Sequence, residues 1–297
     1  MTPRRDARLP QGVGGCGQQS SGSGMLKALT NRIPKPHDLP RKPLIEAIFE
    51  LRWALQQGPA GESHDPGFQI LLGRFYDRVS PDFPELEDLP VSLVPEAMAP
   101  NVVRHRFRKA KGAWPLIQLG PGVLSVNDTE GYTWQSFRPM LVKAVQALFE
   151  AYPTRIAQLS LSQATLRYVN AVPLDSAGGD TGLLPFLGNH LHTNISIDPS
   201  LFDNPQTAGT PAALQLRLNY PLERPHGVGA ISFSTGMKEN VPSVIWENLV
   251  VSKAGHLPAT PEAFDAWFED AHALTDRWFF ALCRGGLLTS CGGDNNA

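Results

Sequence analysis

With 297 residues, 42% of them hydrophobic, the chain carries enough apolar side chain for one large core or two closely packed halves. A formal charge of -2 with 18% charged residues excludes a bulk pull towards nucleic acid or anionic lipid, so either partner would need a local patch. Cys16, Cys283 and Cys291 are too few and too peripheral for a disulfide framework or a four-ligand zinc site, and no run nears the roughly 18 apolar residues of a membrane span, so the expectation is a cytoplasmic protein without cofactor, metal or membrane partner.

Residues 1–24 are rich in Gly, Ser and Gln, and Pro34, Pro36, Pro40 and Pro43 follow, so residues 1–42 read as a disordered tail and linker. Arg4 and Arg5 lack the apolar run of an export signal behind them. Leu44 to Trp53 alternates cleanly, with Ile45, Ala47, Phe49, Leu51 and Trp53 on one face and Glu46, Ile48, Glu50 and Arg52 on the other: a half-buried strand. Phe68, Leu71, Leu72, Phe75 and Val79 form a helical stripe that must end before Pro81. A Pro-rich acidic loop then runs to about Pro100. Val102 to Lys109 reads as a strand with Arg104, Arg106 and Arg108 on one face. Leu116–Leu119 and Val123–Val126 flank Gly120-Pro121-Gly122 as a hairpin. Trp134, Phe137, Leu141, Val145, Leu148 and Tyr152 then make one stripe of a long helix that must cover a sheet.

The pattern begins again at Leu159. Leu159–Val172 is a strand, Leu183–Leu191 a short helix, and Ala212–Leu218, Val228–Ser234 and Val244–Val251 are strands split by Pro and Gly turns. Thr260 reads as a cap with Pro261 opening a last helix, whose stripe of Phe264, Trp267, Phe268, Ala271, Leu274, Trp278 and Leu282 stops at Gly285 and Gly286. Both halves, 43–157 and 158–289, thus read strand, helix, three strands, long helix, with a disordered C-terminus over 290–297. Leu51-Arg52-Trp53 and Leu166-Arg167-Tyr168 mark the two opening strands and suggest an internal duplication. The expected fold is α+β: a curved, largely antiparallel sheet with the long helices on one face, similar to the TATA-binding-protein type of saddle. That analogy brings Arg52, Glu46 and Glu50 of one half towards Arg167, Thr165 and Gln163 of the other on the open face.

The segments PLIEAIFELRW, GPGVLSVN with Tyr132, Trp134 and Phe137 behind it, LRYVNAVPL, and a last helix with His272 seven residues before Phe279 together resemble a sporadically distributed bacterial family of uncharacterised function, over about Pro43 to Leu288. The resemblance implies an accessory role of the kind found on mobile or defence-associated loci. It implies no activity, cofactor or catalytic residue.

Walker, HExxH and GxSxG signatures are absent, which argues against the commonest phosphate-binding, zinc and serine chemistries. His190 and His192 would share a face on a strand but diverge on a helix, so they read as a loop or helix-end pair before a metal site. Glu46 and Glu50 read as salt-bridge partners of Arg52 or Arg167 before a hydrolytic pair. His272 with Asp276 one turn on reads as a hydrogen-bonded structural pair before a general base. Arg104, His105, Arg106, Arg108, Lys109 and Lys111, with Phe107 and Trp114 among them, read as a charged edge strand that resists aggregation or as an anion-binding strand with a stacking platform. Trp246, Trp267 and Trp278 read as core. The leading expectation is a non-enzymatic binding or accessory protein that takes a protein or small anionic ligand around Arg52 and Arg167. The alternatives are nucleic-acid binding through residues 104–111 and Trp114, and a hydrolase-type enzyme using Glu46 and Glu50 or His272.

Overall fold

A computed structural model describes residues 39, 41–129, 131–174, 182–198, 200, 206 and 211–292. Most of the proposed N-terminal tail lies outside the described residues. The first strand, β1 (Leu44–Trp53), follows its sequence pattern: Ala47, Phe49, Leu51 and Trp53 are buried and the intervening Ile48, Glu50 and Arg52 are half-buried. A two-residue ribbon of β2 (Gln56–Gln57) and β3 (Ser63–His64) leads into α1 (Phe68–Val79), whose buried side chains are Phe68, Leu71, Phe75 and Val79. Four strands follow: β4 (Glu85–Asp88), β5 (His105–Arg108), β6 (Leu116–Gly120) and β7 (Val123–Asp128). Helix α2 (Trp134–Ala151) is capped by Thr133, whose hydroxyl accepts from the Ser136 amide at 3.1 Å.

The second half opens with β8 (Leu161–Pro173) and continues through α3 (Leu183–Leu191), β9 (Gln215–Glu223), β10 (His226–Lys238), β11 (Val241–Lys253), α4 (Ala263–Cys283) and α5 (Gly286–Ser290). Among the described residues, nine strands form one antiparallel sheet in the order β4-β5-β6-β7-β1-β8-β11-β10-β9. The two opening strands are neighbours at its centre, with Ile48 opposite Arg167, Glu50 opposite Thr165 and Arg52 opposite Gln163. Side chains of helices α1 to α4 pack with one face of the sheet, whose apolar residues form two buried clusters. The protein is therefore α+β, and no helix among the described residues is long and apolar enough to cross a membrane.

Several boundaries differ from the sequence expectation for identifiable reasons. The acidic stretch read as loop contains β4, because Glu85 and Glu87 lie opposite Arg108 and Arg106 and the charge match pairs the strands. That makes β4 the edge strand, in place of the basic strand β5. Helix α4 starts at Ala263 after two tight i→i+3 bonds, Phe264 to Pro261 and Asp265 to Glu262, so Thr260 is not its cap. Gly285, at φ 78°, ends the path of α4, but Gly286 opens α5 and the fold runs on to a buried Cys291. The cysteines are thus not all peripheral: Cys283 and Cys291 are both buried, while Cys16 lies outside the described residues.

Both sheet edges are guarded against pairing with another chain. Every residue of β4 is exposed and three of its four are acidic. At the other edge the Thr235 amide donates to the Leu214 carbonyl, which sets alternate residues of β9, Pro221 among them, with their main chain outwards, and proline offers no N–H there.

The register of α2 gives a direct test. Leu148 is fully buried in the first cluster, whereas Glu150 is exposed and bonded to Gln146 and Arg78. Leu148→Ala should lower the unfolding free energy by about 2 to 5 kcal/mol and Glu150→Ala by less than about 1, read from urea midpoints. Equal losses would mean the helix is turned.

Candidate functional site

The face of the sheet away from the helices carries a directed hydrogen-bond chain across four strands. Arg106 Nε donates to Gln118 Oε1 (2.9 Å), Gln118 Nε2 to Asn127 Oδ1 (2.9 Å), and Asn127 Nδ2 to Glu46 Oε1 (2.7 Å). Ser125 donates to the same Asn127 oxygen at 2.6 Å. Each donor–acceptor step runs from cation towards anion, so each bond polarises the next. Alternation along β5, β6, β7 and β1 produces this: the chain members occupy outward positions opposite or diagonal to one another.

The residues singled out in sequence share this face but are divided into local pairs. Arg52 is held by Glu50, two residues away on the same strand, through bonds of 2.6 and 3.1 Å. Arg167 approaches Glu247 of β11 at 4.0 Å, and neither Glu46 nor Glu50. Gln163 donates to Thr165 at 3.1 Å. Arg52 and Arg167 stand four positions apart along the β1–β8 ladder, roughly 13 Å of strand, and each guanidinium has its own carboxylate.

The arginines of the basic strand are engaged within the fold. Arg104 is buried, and its guanidinium donates to the carbonyls of Val94 (2.6 Å), Val91 (3.2 Å), Ser92 (3.4 Å) and Ala99 (3.5 Å), pinning the loop ahead of β5. Arg108 is bonded to Glu87 (3.0 Å) and the Ala113 carbonyl (2.8 Å) and stacks on Trp114. His105 is bonded to Asp88 at 2.7 Å. Lys109 and Lys111 alone of the cluster are exposed.

On the helix side, a second polar group joins both halves. Tyr132 donates to the Tyr168 hydroxyl (2.9 Å), which is hydrogen-bonded to His272 Nδ1 (3.0 Å), and the imidazole lies flat on Trp134 with ring centroids 3.9 Å apart. The partner of His272 is thus Tyr168 and not Asp276, because the strand below offers a hydroxyl to the ring. Burial lowers the His272 pKa to about 4 and raises those of Asp276 and Asp128 to about 6. It also pushes both tyrosine hydroxyls upwards. His190 and His192 do not share a site: His192 takes a left-handed conformation at the end of α3 and its Nε2 donates to the Arg284 carbonyl, while His190 tilts against Phe186. Among the described residues, no group of His, Cys, Asp and Glu is placed to hold a metal ion.

These shifts predict opposed pH dependences. The folded state binds the Asp276 proton more tightly than the unfolded state, so its contribution is full below about pH 4 and is lost as pH rises through 6. The folded state resists protonation of His272, whose contribution is full above about pH 6.5 and is lost as pH falls towards 4. Asp276→Asn should therefore gain stability relative to the parent between pH 4 and 6, and His272→Gln should gain relative stability as pH falls through the same range. Urea midpoints across that range read both.

The sequence reading missed the amide chain because Gln118 and Ser125 sit in runs read only as hairpin strands and Asn127 lies just beyond the second run. Their signal was present as polar residues within two apolar strands, Gln118 in one and Ser125 and Asn127 at alternate positions of the other. No protein-family model, curated protein or solved structure matches this chain.

Proposed function

We propose that the chain is a non-enzymatic binding or accessory protein that receives a protein partner on the open sheet face. One observation carries this reading: that face interleaves the half-buried apolar side chains of Ile48, Val169 and Val251 with the matched charge pairs Glu50–Arg52 and Glu247–Arg167, and Arg167 stands between Ile48 and Leu249 on the neighbouring strands. A face that mixes apolar side chains with charges of both signs suits a protein surface. It suits a polyanion less, since Arg104, Arg106 and Arg108 of the basic strand are engaged internally. Hydrolysis draws less support too, since Glu46 and Glu50 are each tied into a hydrogen-bonded pair. The strand order supports an internal duplication: outward from the β1/β8 junction, each side runs opening strand, last strand, then earlier strands. A saddle-like curvature and the accessory role implied by the family resemblance belong to the same reading.

The test is affinity purification from the native host with the wild-type chain, Arg52→Ala, Arg167→Ala and, as a control on the helix layer, Arg138→Ala. A protein retained by wild type and the Arg138 variant, but bound about 1 to 3 kcal/mol more weakly by each sheet-face variant, supports the site. Equal retention by all four chains, or retention of nucleic acid that is lost at moderate salt, overturns it.

A further inference from the structure

The helix side of the sheet holds two apolar cores, and the residues between them are polar on three adjacent elements. Along β8 the inward side chains run Leu166 and Tyr168 in the first core, then Asn170, then Val172 in the second. Along β11 they run Val250 in the first, then Asn248, then Trp246 and Val244 in the second. Along α4, Phe268 and Ala271 belong to the first core and Cys283 to the second, with His272, Thr275 and Asp276 in between. Asn248 lies opposite Tyr168 and Trp246 opposite Asn170, so these changes fall on one line across the sheet.

That line is poorly bonded. Asn170 and Asn248 are 1% and 0% exposed, yet Asn170 Nδ2, both amide atoms of Asn248 and Trp246 Nε1 have no hydrogen-bond partner. Thr275, buried on α4, turns its hydroxyl back to the carbonyls of Ala271 and His272 in its own helix. Unsatisfied buried polar groups lose their water on folding without compensation, so contact across this line stabilises little. The second core is in contrast tied within itself, by Trp246 against Phe279 and by His192 donating to the Arg284 carbonyl, which joins α3 to the end of α4. Helices α1 and α2 contribute only to the first core.

We propose that the second core opens as a unit, independently of the first, along the Asn170–Asn248–Thr275 seam, and that this opening exposes the Cys283 and Cys291 thiols. Both thiols are buried in that core, where low polarity holds them protonated and unreactive. Local opening with a free energy below that of global unfolding is expected where two cohesive units share a weak boundary.

Hydrogen exchange and iodoacetamide alkylation of the full chain, both read peptide by peptide, test this. The expected result is that Cys283, Cys291 and the amides of α3 and α5 report one common opening, at least roughly tenfold more populated than the opening reported by β1 and α2. Replacing the orphaned amides, Asn170→Leu with Asn248→Leu, should slow Cys283 alkylation by roughly tenfold while β1 and α2 stay the more protected set. Alkylation of Cys283 only at the rate at which β1 and α2 exchange would show a single unit and overturn the proposal, and that comparison needs the wild-type chain alone. Unchanged alkylation in a folded double variant would equally overturn the role of the seam.

Discussion

Replacing Phe49 by alanine should lower the unfolding free energy by about 3 to 5 kcal/mol, among the largest losses available to one side chain here. Phe49 is fully buried on β1 of the first half, with its ring 4.9 Å from Phe268 in an edge-on contact and 6.0 Å from Trp267, both on α4 of the second. Truncation removes aromatic area from the place where the halves meet, and the flanking backbone lies in two strand ladders that cannot close the gap. Ile48→Ala is the matched control: its neighbour on the same strand faces the open side and is only half-buried. Urea denaturation at neutral pH should show the Phe49 midpoint falling well below that of the Ile48 variant. Indistinguishable midpoints would mean that β1 has the opposite face inwards.

The second large effect is expected at Asp65, in the turn before α1. Its carboxylate accepts from Trp53 Nε1 at 2.7 Å, from the Tyr152 hydroxyl at 3.0 Å and from the Gly67 amide at 3.0 Å, and the residue is 5% exposed. One side chain therefore ties β1, α1 and the end of α2 together. Asp65→Ala leaves two buried side-chain donors without an acceptor, each costing about 1 to 3 kcal/mol, for a total of about 2 to 6. Asp65→Asn keeps one carbonyl oxygen and should lose about half as much. The adjacent Gly67 tolerates no side chain, since an added Cβ would lie 2.9 Å from the Pro153 ring. Thermal and urea midpoints for the two Asp65 variants order the predictions, and an Asn variant as damaged as Ala would place the effect in charge and not in bond count.

What could be read from the sequence was set by local periodicity. β1, α1, α2 and the β6–β7 hairpin were legible because each has a clean apolar repeat and a turn or cap at its end. β4 was not, because its stability comes from Arg106 and Arg108 on a partner strand that lies beyond a long loop. The fate of Arg104 was hidden for the same reason: its partners are carbonyls of Val91, Ser92, Val94 and Ala99, which composition does not distinguish from any others. The candidate face was half legible. Alternation put Arg52, Glu50, Thr165 and Arg167 on one side, while the pairing of Arg167 with Glu247 required the β8–β11 register. Asn170 and Asn248 carried a readable signal, an amide at an apolar position in mid-strand, where asparagine is depleted.

The central pairing of β1 with β8 has a consequence for how the chain is made. On the ribosome β1 emerges early and can form its ladder with β7 once the first half is complete, yet its other edge waits for β8. The ring of Phe49 waits longer still, for Trp267 and Phe268 of α4, the last long helix of the second half. A nascent first half therefore presents an unpaired central strand with an apolar face, the kind of surface that draws chaperones and that pairs with neighbours when translation stalls. A truncated product that ends after α2 would carry that strand exposed for its whole lifetime.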